Sequence, residues 1–206
     1  PIRLGRGTAP LELELPAALP EPVLAVGGHL KLAVALAWDR RVVVSPHIGD
    51  MGTLRSEQVF EQVVADLQRL YDVTARHWLC DAHPGYTTTR WVQSNGQPYS
   101  TVLHHHAHAS ALVTEHGVSD PAIVFAWDGV GYGADGTLWG GETFTGRPGA
   151  WSRTASLRSF RLPGGDKAGR SPWRSAAALS WEAGVDCPLV VPDPIVREAW
   201  SRGVNA

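Results

Sequence analysis

The sequence has little cysteine, no long apolar run and no strong charge imbalance. Two cysteines in 206 residues do not make a disulfide framework, so a cytoplasmic location is expected. No apolar run reaches the length of a membrane span, and no signal peptide opens the chain. A formal net charge of -2 argues against a nucleic-acid or membrane-surface partner. The chain also begins without Met, which indicates a piece of a longer polypeptide.

The composition suits a folded globular protein, since 44% of the residues are hydrophobic. An opening strand meander followed by alternating predicted helices and strands favours the α/β class. Residues 1–22 are rich in proline and predict a linker. Apolar patterning predicts strands at 23–26, 30–37, 41–44, 77–81, 99–103, 122–129, 137–145 and 151–160. It predicts helices at 56–71, from the histidine-rich stretch to His116, and at 173–184. On the first helix, one face carries Val59, Phe60, Val63, Val64, Leu67 and Leu70.

The stretch HHHAH, residues 104–108, places four histidines in five positions. Residues four apart share a helix face, so His104 and His108 can converge on one metal ion. Asp128 ends an apolar strand and offers a carboxylate on the same side. Two imidazoles and one carboxylate with open positions fit Zn(II) or Fe(II). The alternative is a histidine-rich loop whose rings are merely satisfied by hydrogen bonds.

Two glycine-rich turns are candidates for holding phosphate, because bare backbone N–H groups can cradle an anion. One contains Gly27 and Gly28, with Lys31 three residues beyond; the other supplies Gly129, Gly140 and Gly141. Ordinary hairpin turns, which need glycine for positive φ, explain the same residues equally well. No Walker A motif and no strand-GxGxxG-helix unit is present.

Two loops carry further candidate catalytic residues. His47 lies with Asp50 in SPHIGD, and Asp81 and His83 lie in DAHPGY after a predicted buried strand. These side chains either position a substrate or stabilise their own loops through local hydrogen bonds. Cys80 lies inside the apolar strand and is predicted to be buried and inert.

Six motifs occur in order along the chain: GGHLK, SPHIGD, DAHPGY, HHHAHA, DGVGYGADGTLWGGE and LPGGDKAGRSPWR. Together they closely resemble the HypF carbamoyltransferase family, in its TsaD-like domain. The resemblance implies an RNase H-like lobe of the ASKHA fold, shared with actin, Hsp70 and sugar kinases, with a mixed sheet and flanking helices. PIRLGRGTAP resembles the end of a YrdC-like domain. The implied division is 1–22 as that linker and 23–206 as the first lobe with the start of the crossing, the second lobe being absent.

The resemblance also implies a reaction. Proteins of this family form carbamoyl adenylate from carbamoyl phosphate and ATP, then pass the carbamoyl group to the C-terminal cysteine of HypE, which yields the cyanide ligand of NiFe-hydrogenase. The metal histidines of the family match His104 and His108, and its first-lobe aspartate matches Asp128. The phosphate side of the cleft would be lined by Gly27, Gly28, Lys31, Gly140 and Gly141. HypE, the YrdC-like domain and a second lobe are the implied partners.

Two other functions remain open from the sequence. One is a tRNA threonylcarbamoyl transferase of the same superfamily. The other is a non-catalytic module that binds a metal or nucleotide and regulates a partner. A lobe without its counterpart is expected to be inactive alone and to self-associate through an exposed cleft wall that includes Trp139.

Overall fold

The computed structural model describes residues 9–160, 163–164, 167–185 and 194–201, so Cys187 and residues 1–8 of the predicted linker lie outside it. The chain divides into two compact units, residues 1–155 and 156–206. Within the described ranges, no helix combines the length and the apolarity that crossing a membrane requires. All candidate site residues belong to the first unit.

The first unit contains nine strands and three helices within its described residues. The strands are β1 (Leu11–Glu14), β2 (Val23–Ala25), β3 (Ala35–Trp38), β4 (Arg41–Val44), β5 (His77–Asp81), β6 (Tyr99–Val102), β7 (Ala122–Tyr132), β8 (Leu138–Arg147) and β9 (Ala150–Ser156), the last ending one residue past the unit boundary. The helices are α1 (Leu54–Tyr71), α2 (Thr87–Ser94) and α3 (His104–Glu115). In the second unit lie α4 (Lys167–Arg170), α5 (Trp173–Ala183) and α6 (Pro194–Ser201).

A six-stranded mixed sheet is the larger layer of the first unit, with strand order β1-β4-β3-β2-β5-β6. Strands β2, β3 and β4 form an antiparallel meander, and β5 and β6 extend it in parallel from β2. This order, with helices between the parallel strands, confirms the predicted RNase H-like lobe of an ASKHA fold. Strands β7, β8 and β9 form a separate sheet.

Helix α1 forms where its sequence supplies both an apolar face and a start signal. Thr53 and Ser56 make a reciprocal capping box at its N-terminus, and Asp72 ends it in the left-handed conformation. Phe60, Val64 and Leu67 are buried against the sheet as predicted. Val59 and Leu70, assigned to the same face, are exposed. The buried stripe is therefore narrower than the sequence pattern indicates.

Several boundaries differ from the sequence expectations. Residues 11–14 of the predicted linker form β1, which pairs with β4 and adds an edge strand to the sheet. The strand predicted at 30–37 begins only at Ala35, because Lys31 has a φ of 53° and Leu32 makes just an isolated bridge to Gly49. Strand β9 ends at Ser156 and not at 160.

Burial on the second sheet reverses one prediction. Trp139, expected on an exposed wall, is 5% exposed and packs with Phe144 of the same strand and with Ala109 and Val113 of α3. The exposed apolar face of this sheet is formed instead by Ile123, Phe125 and Trp127, which alternate along β7; Trp127 is 79% exposed. Self-association through such a face stays a prediction.

Candidate functional site

The candidate site lies where the N-terminus of α3 meets β7. Asp128 Oδ2 lies 2.9 Å from His104 Nε2 and 3.3 Å from His108 Nε2, and the two imidazole nitrogens lie 3.2 Å apart. We call these three residues the His/Asp cluster. The two histidines predicted from their helical spacing therefore lie next to each other, and both contact the predicted carboxylate of Asp128.

The cluster fits a divalent metal in both chemistry and spacing. Its three ligand atoms lie within 4.8 Å of one another. Two atoms that each bind zinc at about 2.1 Å, at angles of roughly 90° to 109°, lie about 3.0–3.4 Å apart. The observed separations are close to that range, so a small shift of the three side chains would admit one ion. Imidazole nitrogen and carboxylate oxygen suit both zinc and iron.

A bulge in β7 places Asp128 in the cluster. The pairing of β7 with β8 shifts between Trp127 and Gly131, so β7 carries two extra residues opposite Gly141 and Trp139. Asp128 thus lies within the strand, in the irregular segment, and not at the strand end that the sequence indicated. Gly129 N donates to Asp128 Oδ1 at 2.7 Å, which leaves Oδ2 directed at the histidines.

Asp81 lies behind the cluster at the end of β5. Its side chain is 4% exposed, and Oδ2 lies 2.8 Å from His104 Nδ1. A carboxylate on the second ring nitrogen of a ligand histidine fixes its tautomer, so that Nδ1 carries the proton and Nε2 offers its lone pair. The structure therefore places Asp81, a catalytic candidate from the sequence, where it would act through His104.

The middle histidine, His105, has a structural place. It is fully buried, and its Nε2 lies 2.7 Å from the carbonyl oxygen of Gly140. Burial lowers the pKa of His105, so the ring is neutral and donates from Nε2. Gly131 makes room for it, since a Cβ at that position would lie 2.6 Å from His105 Nδ1. His105 thus ties α3 to the second sheet.

The glycines chosen for phosphate binding have different surroundings. Gly27 has a φ of +69°, and an added Cβ would lie 2.8 Å from the Ala33 carbonyl oxygen, so the turn itself requires it. Gly28 faces the cluster: its added Cβ would lie 3.9 Å from His104 and from Asp81. On the other sheet, Gly129 lies in the bulge, Gly140 accepts from His105, and Gly141 pairs with Trp127.

Lys31 and His47 are not brought to the His/Asp cluster by any polar contact. Lys31 N donates to Asp50 Oδ1 at 2.8 Å, so that aspartate stabilises its own loop. His47 is half-buried in the loop after β4. Among the described residues, no hydrogen bond or ion pair joins either side chain to the cluster. Their predicted roles stay predictions.

Some residues next to the site were not singled out from the sequence. Helix α2 was missed because TTTRWVQS is short and begins with three β-branched residues, which are poor helix formers. Its Thr88 hydroxyl donates to the Gly28 carbonyl at 2.9 Å, and Thr89 donates to the Asp81 carbonyl at 2.9 Å. The first contact spans 60 positions and the second eight, and no local sequence pattern signals either of them.

The electrostatics of the cluster predict that metal binding depends on pH. Hydrogen bonds with Asp128 and Asp81 raise the pKa of His104 to about 9, and His104 in turn holds the pKa of Asp128 well below its usual range. At neutral pH His104 is therefore protonated without metal, and a metal must displace that proton. We expect zinc affinity to rise about tenfold per pH unit from pH 7 to about 9, then to level off.

The raised pKa of His104 also determines how folding stability depends on pH. Because the folded pKa of His104 exceeds its unfolded value, the contribution of His104 to the free energy of unfolding is complete below about pH 6.5 and is lost as pH rises through about 9.

Zinc titration calorimetry at pH 7.5, in two buffers of different ionisation enthalpy, should detect about one proton released per zinc ion bound. Binding without proton release would contradict the assignment.

Comparison with known proteins relates this site to one family. Residues 18–115 match a family model described as the HypF Kae1-like domain. Residues 124–200 match a model described as the second subdomain of the Kae1-like domain of carbamoyltransferases. The boundary falls between α3 and β7, so the cluster takes ligands from both matched regions. The predicted absence of a second lobe stays a prediction; residues 124–200 are similar to a second subdomain of that family.

Individual relatives agree with the family models. The chain is 40% identical over 181 residues to Carbamoyltransferase HypF of Synechocystis sp., covering 87% of this chain and 24% of that protein. It is 42% identical over 181 residues to Carbamoyltransferase HypF2 of Cupriavidus necator, covering 86% of this chain and 22% of that protein. The chain thus spans about a quarter of the length of these curated relatives.

Solved structures agree as well. A crystal structure of full-length HypF in a phosphate- and nucleotide-bound form superposes with a TM-score of 0.84 at 29% identity, covering 99% of this chain and 28% of that one. The HypF of T. kodakarensis gives a TM-score of 0.83 at 28% identity, covering 99% and 29%.

Proposed function

Since the chain belongs to the HypF carbamoyltransferase family, we propose that it is the part of a carbamoyltransferase that holds a catalytic metal for NiFe-hydrogenase maturation. The carbamoyl donor is carbamoyl adenylate, made from carbamoyl phosphate and ATP elsewhere in the parent protein, and the acceptor is the C-terminal cysteine of HypE. The observation that carries the proposal is the His/Asp cluster with Asp81 behind His104.

The proposed step is an acyl transfer to sulfur. The acceptor thiolate adds to the carbamoyl carbon, the bond from that carbon to the phosphate oxygen breaks, and AMP leaves with the bonding electrons. A metal held by His104, His108 and Asp128 would supply Lewis acidity toward a substrate oxygen. Asp81 orients His104, and His105 fixes α3 against the second sheet, so the ligands are held before substrate arrives.

The glycine turns support a nucleotide on the same side of the molecule. Gly28 is the turn residue nearest the cluster, and its position leaves ordinary contact distances to His104 and Asp81. A related HypF at 29% identity is described as phosphate- and nucleotide-bound. We propose that the AMP phosphate lies along Gly28 and the bulge at Gly129. A cytoplasmic location stays a prediction.

The full-length parent protein provides the test. Purified parent, carbamoyl phosphate labelled with ¹⁴C, ATP and HypE are expected to give labelled HypE, and removal of the HypE C-terminal cysteine should abolish the label. Label on tRNA in place of HypE would favour the threonylcarbamoyl transferase alternative. Zinc or iron binding with no labelled acceptor of either kind would favour a non-catalytic module and would overturn the proposal.

A further inference from the structure

His83, in the loop after β5, is held by two aromatic rings although it is not one of the three residues of the His/Asp cluster. Its ring stacks on Tyr86 with centroids 4.2 Å apart and an interplanar angle of 7°. Tyr132 meets the same ring edge-on, with centroids 5.3 Å apart. A half-buried ring fixed in this way has lost most of its rotational freedom, so its free nitrogen has a defined direction.

Asp81 connects His83 to the His/Asp cluster. Asp81 Oδ1 accepts a hydrogen bond from His83 N at 2.8 Å, while Asp81 Oδ2 contacts His104 Nδ1 at the same distance. Tyr132, which meets the His83 ring edge-on, lies on β7, the strand that carries Asp128. The backbone of His83 is therefore one carboxylate away from a ligand histidine, and its ring contacts the strand that carries Asp128.

The protonation pattern of His83 follows from its backbone contact. Gly85 N donates to His83 Nδ1 at 3.0 Å. A ring nitrogen that accepts a hydrogen bond carries no proton, so the neutral ring carries its proton on Nε2. Among the described residues, Nε2 has no hydrogen-bond partner. His83 therefore presents a preformed N–H donor.

We propose that His83 Nε2–H donates to the carbonyl oxygen of the carbamoyl group while the acceptor sulfur adds. This inference rests on the proposed function. As the C–S bond forms, the carbonyl π electrons move to oxygen, and His83 stabilises that charge without giving up its proton. When the carbonyl reforms, the bond to the AMP oxygen breaks and AMP leaves with the electron pair. Such a donor stabilises the transition state, in which charge develops on the oxygen, more than it stabilises the bound substrate.

Three substitutions in the full-length parent separate donation from packing. His83→Gln keeps an N–H near the position of Nε2, His83→Asn keeps only the position of Nδ1, and His83→Phe keeps the ring stack with Tyr86. We expect His83→Asn and His83→Phe to lower kcat for labelling HypE by about 10²-fold or more, the loss typical of an oxyanion donor. His83→Gln should retain at least about tenfold more activity than either.

KM for HypE and bound metal should stay near wild-type values in all three variants, since His83 is not a ligand. Equal activity of the Gln and Asn variants, or a Phe variant as active as wild type, would overturn the role of His83 while leaving the transferase intact. A wild-type protein that labels no acceptor would overturn the proposed function itself.

The tautomer provides a readout that needs no activity. Long-range ¹H–¹⁵N spectra of the ring nitrogens, with ¹⁵N-histidine in the 206-residue chain at pH 8, should show His83 protonated at Nε2 and bare at Nδ1. His83→Gln supplies the assignment by loss of its signals. A His83 ring protonated at Nδ1 would overturn the inference.

Discussion

Replacing His108 with alanine is expected to lower zinc affinity at least about 100-fold, because it removes a ligand and not merely an outer partner, whose loss costs roughly 10- to 100-fold. His104→Ala should act at least as strongly, since His104 also connects the cluster to Asp81. Asp81→Asn should fall within the outer-partner range, because the amide preserves shape but removes the charge that fixes the His104 tautomer. Competition with a chromophoric chelator would measure all three affinities.

His116→Ala is the matched control for this series. His116 lies at the C-terminal end of the same helix and is exposed, so its loss should leave zinc affinity unchanged. If elemental analysis found the same metal content in wild type and in the His104→Ala, His108→Ala double variant, the cluster would not be the metal site.

The second large effect is expected at Gly131. An added Cβ would lie 2.6 Å from His105 Nδ1 and 2.8 Å from His104 Cβ, so Gly131→Ala must push α3 away from β7. Overpacking of this kind costs about 1–3 kcal/mol in free energy of unfolding. Because the displaced helix carries both ligand histidines, zinc affinity should fall with stability. Urea unfolding and zinc competition would measure the two losses.

Gly129→Ala is the control for Gly131→Ala. Both glycines lie in or beside the same bulge, neither has a positive φ, and an added Cβ at Gly129 would have no neighbour within 4 Å. Gly129→Ala should therefore leave stability and zinc affinity close to wild type. Equal losses in the two variants would mean that the bulge tolerates no side chain at all and that the contact with His105 is not the cause.

The sequence predicts those parts of the site that depend on local periodicity. His104 and His108 converge because residues four apart share a helix face, and that spacing is visible without a structure. The strand β5 and the helix α1 were likewise predicted from their apolar patterns, β5 with the observed bounds. These features depend only on residues that are close together in the sequence, so their spacing and apolar pattern are enough to predict them.

The parts that escaped prediction depend on contacts between distant segments. Asp81 meets His104 across 23 positions, and no pattern within DAHPGY indicates that pairing. The prediction of an exposed Trp139 is wrong: burial along β8 changes phase between Trp139 and Glu142, next to the irregular pairing with β7. A period-two pattern cannot foresee two extra residues in the partner strand. The irregular segment that carries Asp128 lies opposite the stretch of β8 from Trp139 to Gly141.

The position of the cluster links folding to the supply of metal. His104 and His108 come from a helix that follows the large sheet, whereas Asp128 comes from the first strand of the small one. An ion bound to all three would act as a cross-link between α3 and the small sheet, present in the folded unit and absent from the unfolded chain. By mass action, free metal at 100 times its Kd would add about 2.7 kcal/mol to the free energy of unfolding. The melting temperature of this unit would then follow the free metal concentration in its surroundings.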